Sequence, residues 1–137
     1  MRMLIAEDDF ASRRMMLKLL EPWGQADLAV DGQEAIDAFE LAWVERSPYE
    51  LIFMDIMMPK VDGQEALKAI RKSESERGVP PSREVRVIMT SVLEDPRNVL
   101  EAFGKGGATA YLVKPISRDK LEAELGRLGF PPASKRG

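Results

Sequence analysis

Five short apolar runs alternate with stretches of helical spacing along this 137-residue chain, and each run ends at or next to a polar residue. The runs are Met3 to Ala6, Leu28 to Val30, Leu51 to Met54, Val85 to Met89 and Ala110 to Val113. Repeated strand–helix alternation leaves few folds open. Parallel strands need a crossover between neighbours, the crossover is usually a helix, and right-handed crossovers place helices on both faces of one sheet. The chain therefore reads as α/β with a doubly wound parallel sheet.

The punctuation between the runs supports this reading. Met15, Met16, Leu19 and Leu20 recur at three- and four-residue spacing after the first run, until Pro22 and Gly24 end the helix. Asp31-Gly32 opens a second helix with Ile36, Phe39 and Trp43 on one stripe, closed by Ser47-Pro48. Pro59 and Asp62-Gly63 mark a turn into a third helix carrying Ala66, Leu67 and Ile70. The segment from Ser73 to Arg83, with Gly78 and Pro80-Pro81, reads as a polar, mobile connection, longer than most helix-to-strand loops. A fourth helix is expected from about Asp95, with Val99, Leu100 and Phe103, stopped by Gly104-Lys105-Gly106-Gly107. Ser117 suits the cap of a last helix bearing Leu121, Leu125 and Leu128. Residues 1–128 then form one domain, and Gly129 to Gly137 read as a frayed tail.

Composition narrows the function. Twenty Lys and Arg against 23 Asp and Glu give a net charge of −3, which offers no bulk attraction for nucleic acid or anionic membrane. Without a run of about 18 apolar residues or a basic, apolar leader, a cytoplasmic location is the expectation. The absence of Cys removes disulfides and thiol chemistry, and the absence of His removes a Ser-His-Asp triad, a histidine-ligated zinc and any phosphohistidine on this chain.

The residues at the run ends carry the chemistry. Glu7, Asp8, Asp55, Thr90 and Lys114 are far apart in sequence, yet ligands of parallel sheets bind at the carboxyl ends of strands, where such residues can converge. Two like charges about 4 Å apart cost about 4 kcal/mol at an effective dielectric of 20, a cost that a divalent cation removes. Oxygen ligands without His or Cys select Mg²⁺ or Mn²⁺. Taken alone, Glu7-Asp8-Asp9 is more simply a helix cap, and Asp9 suits that role. Asp55 follows four apolar residues, where a carboxylate needs a partner such as Lys114; by itself it could equally form a turn. A carboxylate can also attack a phosphoryl group to give an acyl phosphate. Thr90 alone reads as a helix-entry turn, Tyr111 as a strand aromatic, Met57 and Met58 as packing, and Arg13 and Arg14 as solvated charges.

With these positions in order, the chain resembles a response-regulator receiver domain of the CheY-like type from Met3 to about Leu128. The likeness rests on Leu4-Ile5-Ala6-Glu7-Asp8-Asp9, on Asp55-Ile56-Met57-Met58-Pro59 followed by Asp62-Gly63, on Met89-Thr90-Ser91, and on Gly107-Ala108 leading to Tyr111-Leu112-Val113-Lys114-Pro115. The resemblance implies a flavodoxin-like five-stranded sheet of order 2-1-3-4-5. It implies Asp55 as phosphoacceptor, Asp8 as a direct Mg²⁺ ligand, Glu7 acting on the metal largely through water, and Met57 lending its backbone carbonyl. Lys114 would bind the phosphoryl group, Lys114-Pro115 would be cis, and Thr90 with Tyr111 would form a switch pair. The implied partners are a sensor histidine kinase or histidine phosphotransfer protein, a downstream protein target and a phosphorylation-dependent second copy. The implied activity is a signalling switch that catalyses only its own phosphorylation and dephosphorylation, changing the face of the fourth helix, fifth strand and fifth helix. Ile56 after Asp55 leaves neither Trp23 nor Trp43 expected beside the site.

Other readings remain. The chain could be the receiver segment of a longer regulator or hybrid kinase, with Pro131-Pro132 opening a linker, or a phosphate-independent interaction module. A haloacid dehalogenase-type phosphatase would need an Asp where Met57 stands, and a flavin carrier would find Glu7-Asp8-Asp9 repelling its phosphate.

Overall fold

A computed structural model describes residues 1–92, 96–104 and 107–132. The strands are β1 (Met3–Ala6), β2 (Ala26–Ala29), β3 (Leu51–Asp55), β4 (Arg86–Ser91) and β5 (Ala110–Val113). The helices are α1 (Phe10–Leu20), α2 (Gly32–Val44), α3 (Gly63–Glu76), α4 (Pro96–Gly104) and α5 (Arg118–Arg127). All pairings are parallel and the sheet order is β2-β1-β3-β4-β5, the order the resemblance implies.

Period-two alternation divides the core between the two faces of the sheet. Met3, Ile5, Leu51, Phe53 and Ile88 pack with Met16, Leu20, Leu121 and Leu125, so α1 and α5 cover one face. Leu4, Ile52, Met54, Val87 and Met89 pack with Phe39, Leu67, Ile70 and Ala102, so α2, α3 and α4 cover the other. β3 is buried at every position, which explains its unbroken apolar run. Short polar side chains set the helix starts: Asp9, Asp31, Asp62 and Ser117 accept from the backbone N–H groups of Ser12, Glu34, Glu65 and Lys120.

Several expectations need correction. The second strand begins at Ala26 and ends at Ala29, because pairing with β1 runs from Met3↔Ala26 to Ala6↔Ala29 and leaves Val30 outside. Edge position also lets its Asp27 and Leu28 face solvent, so the apolar pattern there is weak. Met15, Leu100 and Phe103 were expected on buried stripes but are exposed; Met16 and Ala102 do that burying. The tail is anchored where it starts: Phe130 packs against the α1–α5 core, its N–H donates to Leu125 O at 2.8 Å, and its carbonyl accepts from Trp23 Nε1 at 2.8 Å. The expected helix start at Asp95, the Lys105-Gly106 part of its stop and tail residues 133–137 lie outside the described residues.

The largest correction concerns Ser73 to Arg83. α3 continues to Glu76, and Pro81–Arg83 forms a 3-10 turn, so only a short connection remains. Glu74 is buried, paired with Arg71 at 2.6 Å, and accepts the Val85 N–H at 2.7 Å. It thereby ties the end of α3 to the entry of β4. Burial pushes its carboxyl above the usual range, against the opposing pull of the Val85 N–H and Arg71. Glu74→Ala leaves the buried Val85 N–H without its acceptor and Arg71 with Glu84, at 3.3 Å, as its remaining carboxylate partner, and is expected to destabilise the domain by about 1–3 kcal/mol in urea unfolding. Glu74→Gln, which keeps the acceptor for Val85, should cost less.

Candidate active site at the strand carboxyl ends

Backbone bonds beyond the strand ends hold the site residues in place. Glu7 directly follows β1 and its N–H donates to Ala29 O at 3.0 Å. Asp55 closes β3 in register with Thr90, and the next N–H, that of Ile56, donates to Thr90 O at 3.0 Å. Lys114 follows β5, with its N–H on Ser91 O at 2.7 Å and a cis bond to Pro115. The sheet order puts β1 and β3 side by side at its centre, so residues 48 positions apart become neighbours.

There, Glu7, Asp8 and Asp55 each offer a carboxylate oxygen, all within 4.8 Å of one another. Glu7 and Asp55 are buried, at 3% and 6% relative exposure, while Asp8 is exposed. Lys114 Nζ donates to Glu7 Oε1 and lies 3.5 Å from Asp55 Oδ1. One ammonium thus faces three carboxylates. At an effective dielectric of 20, each like-charged pair at this spacing costs about 3.5 kcal/mol, and with all three acids ionised the cluster keeps an excess of negative charge over its one ammonium.

The protonation behaviour follows. Burial first, and then the adjacent Glu7 carboxyl, push Asp55 up to about 8, with Lys114 pulling the other way and Asp8 adding repulsion. Burial works against the charge on Lys114, but Glu7 and Asp55 outweigh it and leave the amine above its ordinary value. Glu7 Oε2 is buried and has no hydrogen-bond partner among the described residues. An orphaned carboxylate oxygen beside two further carboxylates suits a hard divalent cation, and Mg²⁺ or Mn²⁺ fits a donor set without nitrogen or sulfur.

Other expected residues fall at different distances from this cluster. Thr90 is buried beside Asp55 in the ladder. Tyr111 stands one position back, opposite Met89, half-buried against the α2–α4 core. Met57 is exposed, whereas Met58 is part of that core. Asp9 caps α1. Trp23 lies in the α1–α5 core, and Trp43 packs beside the α2–α4 core with the Arg77 guanidinium 5.2 Å from its ring centre.

Two contributors were not legible as such. Arg13, read as a solvated charge, donates to the Glu7 carbonyl at 2.8 Å and steadies the loop after β1. Gly63, read only as a turn marker, donates its N–H to Ile56 O at 2.9 Å and sits so close that a Cβ would overlap the Asp55 carbonyl oxygen. The Asp-Gly pair at a helix entry was the available signal, but its purpose depends on what packs against it.

Comparison with known proteins agrees with this architecture. The family model described as "Response regulator receiver domain" matches residues 3–126. Sensor histidine kinase GacS of Pseudomonas protegens is 35% identical over 121 residues, covering 88% of this chain and 12% of that protein. The chain therefore spans about an eighth of that curated relative's length. In the co-crystal structure of the Saccharomyces cerevisiae histidine phosphotransfer protein Ypd1 with the receiver domain of Ssk1, the match has a TM-score of 0.80 at 28% identity, over 94% of this chain and 88% of that one. The receiver domain of sensor histidine kinase PA1611 from Pseudomonas aeruginosa, solved with a magnesium ion in the active site cleft, matches with a TM-score of 0.74 at 26% identity, over 92% and 94% of the two chains. The chain belongs to the response-regulator receiver family, and its fold is that of CheY-like receivers. None of the helices is long and apolar enough to cross a membrane, among the described residues.

The raised Asp55 value makes a pH prediction. Asp55 holds its proton more tightly in the folded chain than its ordinary value of 3.8 allows, so its contribution to stability is fully present below about pH 4 and is lost as the pH rises to about 8. In chelator, Tm should fall across this window, and less so in Asp55→Asn. Millimolar Mg²⁺ should restore Tm at the alkaline end of the window in the wild type and do little in Asp55→Asn, as read by thermal melts.

Proposed function

We propose that this chain is a phospho-accepting receiver of two-component signalling, in which Asp55 takes a phosphoryl group from phosphohistidine on a partner kinase or histidine phosphotransfer protein. The observation that carries this reading is the meeting of the Asp55 carboxylate, the Lys114 amine and the acids Glu7 and Asp8 in one cleft. These 137 residues contain no histidine, so the donor imidazole lies outside them.

An Asp55 oxygen attacks phosphorus in line, the phosphorus–nitrogen bond breaks, and the imidazole leaves with the electron pair and is protonated. Glu7, Asp8, Asp55 and the Met57 carbonyl would hold Mg²⁺, with Glu7 acting largely through water. When bound, Mg²⁺ supplies positive charge against the carboxylates and the transferred oxygens. Burial and the neighbouring Glu7 carboxyl hold the proton on Asp55, and positive charge beside it, from Lys114 and a bound cation, would favour the ionised carboxylate that attacks. Lys114 exchanges part of its contact with Glu7 for a phosphoryl oxygen, as a charge-assisted hydrogen bond. Thr90 donates its hydroxyl to another oxygen, Tyr111 turns into the space released, and the α4–β5–α5 face changes. Attack of water on the acyl phosphate later returns Asp55 to its free state, so the chain turns over no substrate but its own phosphate.

The placement of the chain within a longer hybrid kinase is a second reading, favoured by its match to one-eighth of GacS. The phosphoacceptor chemistry is common to both.

Acetyl phosphate with Mg²⁺ should add the mass of one phosphoryl group to the wild type and nothing to Asp55→Asn. Lys114→Ala should slow modification by roughly 10²-fold. Equal labelling of Asp55→Asn would remove Asp55 from the role of nucleophile.

A further inference from the structure

α4 has little apolar anchorage. Its Ala102 is fully buried and Val99 half-buried, while Leu100 is 71% and Phe103 46% exposed. α3 beneath it is the opposite: Ala66, Leu67 and Ile70 are buried, and Gly63 is seated against the Asp55 carbonyl. Burial of Leu67 and Ile70 fixes α3 to the sheet beside the phosphoacceptor.

Polar contacts join the two helices along one edge of α3. Gln64 Nε2 donates to Asn98 O at 2.9 Å, Lys68 Nζ pairs with Glu101 Oε2 at 3.6 Å, and Arg71 Nε donates to Gly107 O at 2.9 Å in the connection from α4 to β5. The steps of four and three residues place these side chains on one face. Gln64 is buried at the end nearest Asp55, and its amide oxygen has no hydrogen-bond partner among the described residues. Gly107 adopts a φ of +76°, and a Cβ there would press against the Arg71 side chain. The far rung is therefore tightly seated, while the first rung is only half satisfied.

We propose that this ladder, and not apolar packing, sets the resting position of α4, and that the Gln64–Asn98 rung must open for α4 to move when Asp55 is phosphorylated. The proposal rests on the phosphoacceptor reading for its trigger. By linkage, a contact present only in the resting state opposes the activating ligand, so removing it must tighten that ligand. This sign separates a positioning role from simple support, since loss of structural support would weaken binding at Asp55.

The test uses beryllium fluoride with Mg²⁺ as the activating probe, titrated into the full chain and followed by amide NMR. Gln64→Met, which keeps the side-chain length and removes both polar groups, should tighten the apparent affinity about two- to tenfold, the worth of one hydrogen bond. Lys68→Glu, at an exposed rung that does not endanger folding, should also tighten it by repelling Glu101. The charge-swapped Lys68→Glu/Glu101→Lys double variant should return to the wild-type value. Unchanged or weaker affinity in both single variants, or a double variant that keeps the Lys68→Glu effect, overturns the proposal. Should wild type bind no fluoride complex at Asp55, the phosphoacceptor reading fails, and the ladder is judged by metal-free hydrogen exchange. Residues 97–104 must then exchange faster in Gln64→Met while α3 and the sheet do not; equal exchange overturns it.

Discussion

Carboxylate crowding at the ends of β1 and β3 is the constraint on which this molecule depends. Glu7 and Asp55 are buried by the same sheet geometry that makes the two central strands an apolar core, and Asp8 closes the group from the solvent side. Lys114 supplies one positive charge against these three carboxylates and contacts two of them. Added positive charge is therefore favourable here, and burial together with the Glu7 carboxyl raises the protonation threshold of Asp55. Apolar residues of similar size in place of these acids would remove the repulsion and stabilise the fold.

The fold confines this instability to one edge. α1 and α5 cover one face, α2, α3 and α4 the other, and helix caps at Asp9, Asp31, Asp62 and Ser117 satisfy the chain where it turns. The opposite edge is stitched by Glu74 with Arg71 and the Val85 N–H, and by Phe130 with Trp23. Between the two, α3 carries the Asp55 loop at its start and Arg71 near its end. A change of charge at Asp55 thus bears on an element that reaches across the domain.

Much of this was legible because it depends on periodicity and on local chemistry. Five apolar runs with helical spacing between them define the layers, and the strand-end residues Glu7, Asp8, Asp55, Thr90 and Lys114 converge because strand order brings their strands together. What was not legible depends on partners distant in sequence. Ser73 to Arg83 looks mobile from its polarity, yet Glu74 is buried because Arg71 and Val85 meet it there. β2 is displaced because an edge strand takes its register from β1 and needs only one buried face. Met15, Leu100 and Phe103 share helical spacing with buried neighbours, and spacing alone does not say where a stripe ends. Gly63 and Gln64 acquire their meaning from the Asp55 carbonyl and from Asn98, neither of which sequence spacing reveals.

The most direct measurement is anomalous diffraction from crystals of the full chain soaked in Mn²⁺. The account requires a strong peak within coordinating distance of a carboxylate oxygen of Asp55 and of Asp8, with Glu7 linked to it directly or through water, and its loss on Asp55→Ala. A fully occupied Mn²⁺ elsewhere with this cluster empty, or an undiminished peak in Asp55→Ala, would contradict it.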